Sequence, residues 1–163
     1  MGRSKAEVET QRQFAIELNV RVWDLLAKAD RSVQENEEMV HAAHASCLHW
    51  LKAGTALHHQ RGEWLIAHVY AELGLAEPAL RHAQRCQELT REHADQMADF
   101  DLAYAHEGLA RAYAIAGQHE QAKEHLKLAK QAGQAIADKE SKKIFLGDLH
   151  SGNWGKLEEP VLT

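Results

Sequence analysis

Histidine is the chemistry-bearing residue in excess, with 12 among 163 residues. The densest run of metal-ligand types is Glu38, His41, His44 and His49. Glu38 and His41 are three apart, so a helix sets both on one face, as a carboxylate-bridged two-metal site in a helix bundle requires. That site needs a second Glu-x-x-His pair, which no other helical stretch supplies. The steps from His41 to His44 and from His44 to His49 do not turn three imidazoles to one face. The adjacent pair His58 and His59 falls in the polar run His58-His59-Gln60-Arg61-Gly62, read here as the turn between two helices and polar for solvation. The expectation is no metal and no cofactor. A helical-bundle metalloprotein built on Glu38, His41 and His44 stands as the alternative.

Nucleophilic chemistry finds less support. Cys47 and Cys86 have histidines near them in sequence, but both sit in helical apolar patterns, and a reactive thiolate needs exposure and a positive environment. They read as buried thiols in a reducing compartment rather than as a disulfide framework. No Gly-rich loop follows a strand and opens a helix, so no nucleotide-phosphate motif is present, and Gly152-Asn153-Trp154-Gly155 lacks the flanking elements for one. The chain is not expected to be an enzyme.

Composition sets the remaining bounds. An apolar fraction of 45% and a charged fraction of 26% are ordinary for a globular protein, while Gly 10 and Pro 2 leave little material for turns, which implies long regular elements. The net charge is -5 with neutral histidines, and basic residues are scattered among acidic ones, so neither nucleic acid nor a membrane surface is an expected partner. Protonating all 12 histidines would reverse that charge to +7. No apolar region follows Arg3 and Lys5, and no stretch approaches the roughly 18 apolar residues of a membrane span, which makes the cytoplasm the expected location.

The elements that must position these residues are helices. Phe14, Leu18, Val22, Leu25 and Ala29 recur at spacings of four and three and mark a helix over about residues 5–30. Asp30 and Ser32 interrupt it, and Met39, Ala43, Cys47, Leu51 and Leu57 restart the period. The chain then repeats itself. Laying Ala67–His82 over Ala110–His125, an offset of 43, pairs Ala67 with Ala110, Tyr70 with Tyr113, Ala71 with Ala114 and Gly74 with Gly117, and Glu77, Ala79 and His82 with Glu120, Ala122 and His125. A fixed period of this size signals stacked helical hairpins. Gly74 and Gly117 fall where a first helix must end, Glu77 and Glu120 near the positive start of a second, and Pro78 in a first turn that tolerates it.

The order small residue, tyrosine, glycine, alanine, present as Ala67, Tyr70, Gly74, Ala79 and again as Ala110, Tyr113, Gly117, Ala122, resembles the tetratricopeptide repeat (TPR), with Cys86 and Ala129 at its second small position. The resemblance covers about residues 60–138. It departs at the family's tryptophan position, here Glu63 and His106, at its second-helix aromatic, here Ala83 and Leu126, and at its closing proline, here Arg91 and Gln134. The period of 43 also exceeds the usual 34, which suggests a divergent member with longer helices. It implies an all-α fold of antiparallel helix hairpins stacked as a short right-handed superhelix of about seven helices. A single domain over 1–150 would hold a leading hairpin at 5–57, repeats at 60–95 and 98–138 and a closing helix at 139–149 carrying Ile144, Phe145 and Leu149. The tail 151–163 would be irregular, with Trp154 able to pin it.

In such repeats the first helix of each hairpin lines the concave surface. The resemblance therefore implies groove positions Arg61, Trp64, His68 and Glu72, then Tyr104, Glu107, Arg111 and Ile115. The function expected is capture of a partner protein or peptide, anchored by Arg61, Trp64, Tyr104, Glu107 and Arg111. The competing reading packs Trp64 and Tyr104 against the leading hairpin and leaves the charges as a salt-bridged face. Few basic residues occupy the positions at which chaperone-binding repeats clamp a free carboxylate, so a C-terminal carboxylate is not the favoured ligand. A homodimer packed through the first helix is the remaining possibility.

Overall fold

A computed structural model describes residues 4–157. Among these, seven α-helices and no strand occur: α1 Lys5–Leu26, α2 Val33–Ala53, α3 Ala56–Glu72, α4 Ala76–Glu92, α5 Asp99–Ile115, α6 His119–Gln134 and α7 Lys139–Asp148, with a 3-10 turn at Ala94–Gln96. The part of the expected irregular tail over 158–163 lies outside the described residues.

Local chemistry sets the boundaries. Ser4 and Ser32 cap α1 and α2, and each is closed by a glutamate three residues on, Glu7 and Glu35, in a reciprocal capping box. Thr55 stands at the corresponding place before α3, where its backbone N–H donates to His58 Nδ1 at 3.1 Å. The run from His58 to Gly62 is therefore not the inter-helix turn expected but the first turns of α3. Only Gly54 and Thr55 separate α2 from α3, and histidine does there what a capping glutamate does elsewhere.

The offset of 43 holds at the level of whole elements. Shifting α3 by 43 residues reproduces the bounds of α5, Ala56 to Asp99 and Glu72 to Ile115, and shifting the start of α4 reproduces that of α6. Both first helices end alike. Gly74 and Gly117 each have φ 72°, the left-handed region that favours glycine. Leu75 N–H donates to Tyr70 O and Gln118 N–H to Tyr113 O, each at 2.9 Å, while the two glycine N–H groups donate to Ala71 O and Ala114 O. This is the Schellman arrangement twice, satisfying carbonyls that a helix end leaves open.

Packing follows chain order. α1 lies on α2, α3 on α4 and α5 on α6, while α2 meets α3, α4 meets α5, and α3 also meets α5. The paired alanines are the close approaches: Ala67, Ala79, Ala110 and Ala122 are all 1% exposed or less. Val22, Leu25, Met39, Ala43 and Cys47 form the core of the leading hairpin with Leu65, Ile66 and Val69 of α3. α7 closes the other end with Phe145, and Leu149 follows it, against Leu126, Ala129 and Ile136, whereas Ile144 faces outward.

The apolar period of α1 and α2 overshoots the core at its ends. Phe14 and Leu51, expected inside, are 47% and 55% exposed, and Ala15 is buried in their stead. Phe14 rests at the surface against the ring of His49 of α2. No helix of the described residues is long and apolar enough to cross a membrane.

Candidate functional site

The first helices of the three hairpins, α1, α3 and α5, lie side by side and share one row of rings. Trp23 of α1 stacks on Trp64 of α3 at 6.0 Å between centroids, Trp64 meets Tyr104 of α5 edge-on at 5.1 Å, and Tyr104 meets Phe145 of α7 at 4.8 Å. His68, one turn after Trp64, stacks beneath it at 5.0 Å. The i, i+4 spacing of Trp64 and His68 and the size of the rings force this arrangement. All seven nominated groove residues lie on or beneath this face, and they divide into two sets.

The first set is internal. Arg111 is 1% exposed and Glu107 1%. Arg111 Nε donates to Glu107 Oε1 at 2.7 Å, and Glu107 Oε2 accepts from Trp64 Nε1 at 2.9 Å. The rest of the guanidinium is satisfied by the tail and the end of α7: Nη1 donates to Ser151 O at 2.9 Å and Nη2 to Asp148 O at 3.3 Å, and the Trp154 ring lies 4.2 Å from its carbon. Glu72 Oε1 accepts the backbone N–H of Asn153 at 2.6 Å. Asn153 Nδ2 donates to Ala71 O at 3.1 Å. Burial and the nearby Arg111 charge drive the His68 imidazole well below its ordinary range, keeping it neutral. Its Nδ1 is sealed without a hydrogen-bond partner.

His68, Glu72, Glu107 and Arg111 are therefore not open groove positions, as expected from the sequence, but the seat of the chain's own tail. Residues 151–157 are irregular but held. Trp154 is 7% and Leu157 8% exposed. Gly152 has φ 76°, and a Cβ there would strike Glu72 and Arg111. The legible signal was the pair of glycines bracketing Asn153-Trp154: such a segment pressed against a helix face needs positions without a side chain.

The second set stays open. Arg61, Trp64 and Tyr104, with Trp23, Phe100 and Asp101, line a cleft of about 280 Å³ between α1, α3 and α5. Arg61 forms a two-pronged pair with Asp101, Nε to Oδ1 at 2.8 Å and Nη2 to Oδ2 at 3.1 Å, and lies 5.0 Å from the Phe100 ring. Tyr104 OH donates to Asp148 Oδ2 at 2.5 Å. Burial, then this bond, raises the phenol, while burial raises the Asp148 carboxyl against the pull of the same bond. A second cleft of about 220 Å³, walled by Ile16, Val20, Trp50 and His58, meets the first at Asn19 and Arg61. Ile115 is half-buried beside Gly155.

No family model, curated protein or solved structure matches this chain.

Sequence reasoning missed the wall contributed by α1. Trp23, Val20 and Ile16 have helical spacing, but they lie beside the core stripe Val22 and Leu25 and were masked by it. The metal candidates are scattered. Glu38 is held by Arg21 at 2.6 and 2.8 Å, His41 is exposed, His44 Nε2 lies 3.0 Å from Tyr70 OH, and His49 Nδ1 lies 2.7 Å from Gln11 Oε1. The structure instead gathers Cys47, His59 and Glu63, whose ligand atoms all lie within 4.8 Å of one another. Both cysteines are buried and free. Burial lifts the Cys47 thiol to about 12 and raises Cys86 further, which disfavours the thiolate at both.

Proposed function

We propose that this chain is a TPR-like, non-enzymatic interaction module that holds an extended peptide of a partner protein in the groove formed by α1, α3 and α5. The observation that carries this reading is that one end of the groove already holds such a segment. Residues 151–157 lie along it with Trp154 over Arg111 and with backbone groups bonded to Glu72 and Arg111. The other end presents the same kinds of group, an arginine among aromatic rings over a cleft of about 280 Å³, with nothing from the described residues in it. The preferred ligand has a large apolar or aromatic side chain to enter between Trp23, Trp64 and Phe100. The net charge of -5 and the scattering of basic residues among acidic ones along the sequence argue against nucleic acid and anionic membranes, and a cytoplasmic setting suits two free thiols.

The anchors are Arg61, Trp64 and Tyr104 together with Trp23 and Phe100. A random peptide library displayed on phage, selected on the full-length chain, should enrich a motif around one aromatic residue. Its synthetic peptide should quench the tryptophan fluorescence on binding. Trp23→Ala, at a side chain 44% exposed, should weaken that peptide about 30-fold, the scale of one interface anchor at roughly 2 kcal/mol, with helix content unchanged. Failure to enrich any motif, or equal binding by Trp23→Ala and Phe100→Ala, removes the assignment. The exposure of Ile16, Val20 and Trp23 on α1 also favours a second reading, a homodimer through α1. Sedimentation that shows a dimer dissociated by Val20→Glu would put it first.

A further inference from the structure

Three helices converge on a set of donors that packing alone does not call for. Cys47 comes from α2, and His59 and Glu63 stand four apart on the first turns of α3, so both face α2. Gly62 lies between them directly under Cys47, where a Cβ would press on Sγ. The glycine thus admits the sulfur to the α3 surface. His59 Nε2 is 3.2 Å from Glu63 Oε1, already close to the separation of two ligands on one tetrahedral ion with metal–ligand distances of about 2.0–2.2 Å. The other carboxylate oxygen, Oε2, accepts a bond of 2.6 Å from His82 Nδ1 of α4. His82 is itself fixed by stacking on Tyr70 and by the edge of His44, and His44 Nε2 lies 3.0 Å from Tyr70 OH.

The repeat supplies an internal control. At an offset of 43, Cys47, His59 and Glu63 correspond to Thr90, Leu102 and His106, while His82 corresponds to His125. His125 keeps both the stack on its tyrosine, Tyr113, and a contact to the α5 residue, His106. The histidine on the second helix is therefore part of the hairpin's packing. The cysteine, histidine and glutamate are particular to the α2–α3–α4 junction, and the twin junction does without them.

We propose that Cys47, His59 and Glu63 form a zinc site, with His82 orienting the carboxylate from behind and a water completing four ligands. One thiolate, one imidazole and one carboxylate are borderline-soft donors that suit zinc, not magnesium or calcium. As the Cys47 Sγ–Zn bond forms, the thiol proton leaves to solvent. His59 and Glu63 are partly exposed and leave a route from solvent, while Cys47 lies beneath them. A carboxylate bonded from outside the first ring of ligands is the arrangement that holds catalytic and structural zinc in place.

Cobalt(II) reports on this site by colour. Titrated into the untagged, full-length, metal-free chain, one equivalent should give tetrahedral visible bands and a thiolate-to-cobalt charge-transfer band, both displaced by one equivalent of zinc. Cys47→Ser and His59→Gln should each abolish the charge-transfer band, the second at a part-exposed residue whose loss leaves the fold intact. His82→Phe should weaken binding about 10–100-fold, and Cys86→Ala and His41→Gln should change nothing. No charge-transfer band, or one that survives Cys47→Ser or His59→Gln, overturns the site.

Discussion

Arg111 concentrates the energetics of this fold in one side chain. It is almost wholly buried, and its charge is tolerated because Glu107, two tail carbonyls, Asp148 O and the Trp154 face surround it. Desolvating such a pair costs several kcal/mol per ion, so its worth lies in completeness rather than in Coulomb attraction alone. Arg111→Met is expected to destabilise the chain by about 3–5 kcal/mol, since Glu107 is left buried and charged, and to release the tail. Adding Glu107→Leu to it should recover much of the urea midpoint, although Trp64 Nε1 then loses its acceptor. A double variant no more stable than the single one would contradict this account. From the sequence, Arg and Glu four apart on one helix are as well explained by a solvated surface pair. Their burial depends on the tail 40 residues away, which is why Glu107 and Arg111 read as groove residues.

The helices themselves were legible from their apolar period, which carried α1 about four residues past its end at Leu26 because the caps that set the ends are short-range chemistry. Ser4 with Glu7, Ser32 with Glu35, and the two glycines fix their boundaries locally, and the offset of 43 exposed the hairpin twice over. The polar start of α3 was not, because a histidine in a capping role looks like turn composition. Nor was the contribution of α1 to the cleft, since Trp23 and Val20 show their role only when α3 lies beside them. The meeting of Cys47 with His59 and Glu63 likewise depends on how α2 docks on α3. The repeat permits a test within one molecule. Gly74 and Gly117 share φ 72° and open space where a Cβ would stand, so an alanine meets backbone strain and no clash at either. Gly74→Ala and Gly117→Ala should each cost about 1–2 kcal/mol, equally within error, by urea unfolding. A large inequality would mean that the two bends are not equivalent in solution.

At the scale of the whole molecule, acid is the condition to which this fold is most exposed. His68, His106 and His125 all have their imidazoles depressed below the ordinary range, chiefly by burial, with Arg111 adding to the effect at His68 and His125 adding to it at His106, while Glu124 works against it at His125. His106 and His125 meet Nδ1 to Nδ1 at 3.2 Å, a contact that holds while one nitrogen donates and the other accepts and that two imidazolium rings would break. A depressed histidine binds fewer protons folded than unfolded. Stability is therefore complete above the unfolded value of about 6.5 and falls as pH drops below it. For His68, whose Nδ1 is shut away from solvent, the loss approaches about 1.4 kcal/mol per pH unit, and His106 and His125 add to it. The free energy of urea unfolding should thus be flat from pH 8 to 7 and decline steeply from 6.5 to 5. His68→Phe keeps a ring against both Trp23 and Trp64 and removes a buried nitrogen that has no partner, so it should be neutral or stabilising at pH 7.5 and visibly flatten the acid limb. An unchanged slope in that variant would place the acid sensitivity elsewhere.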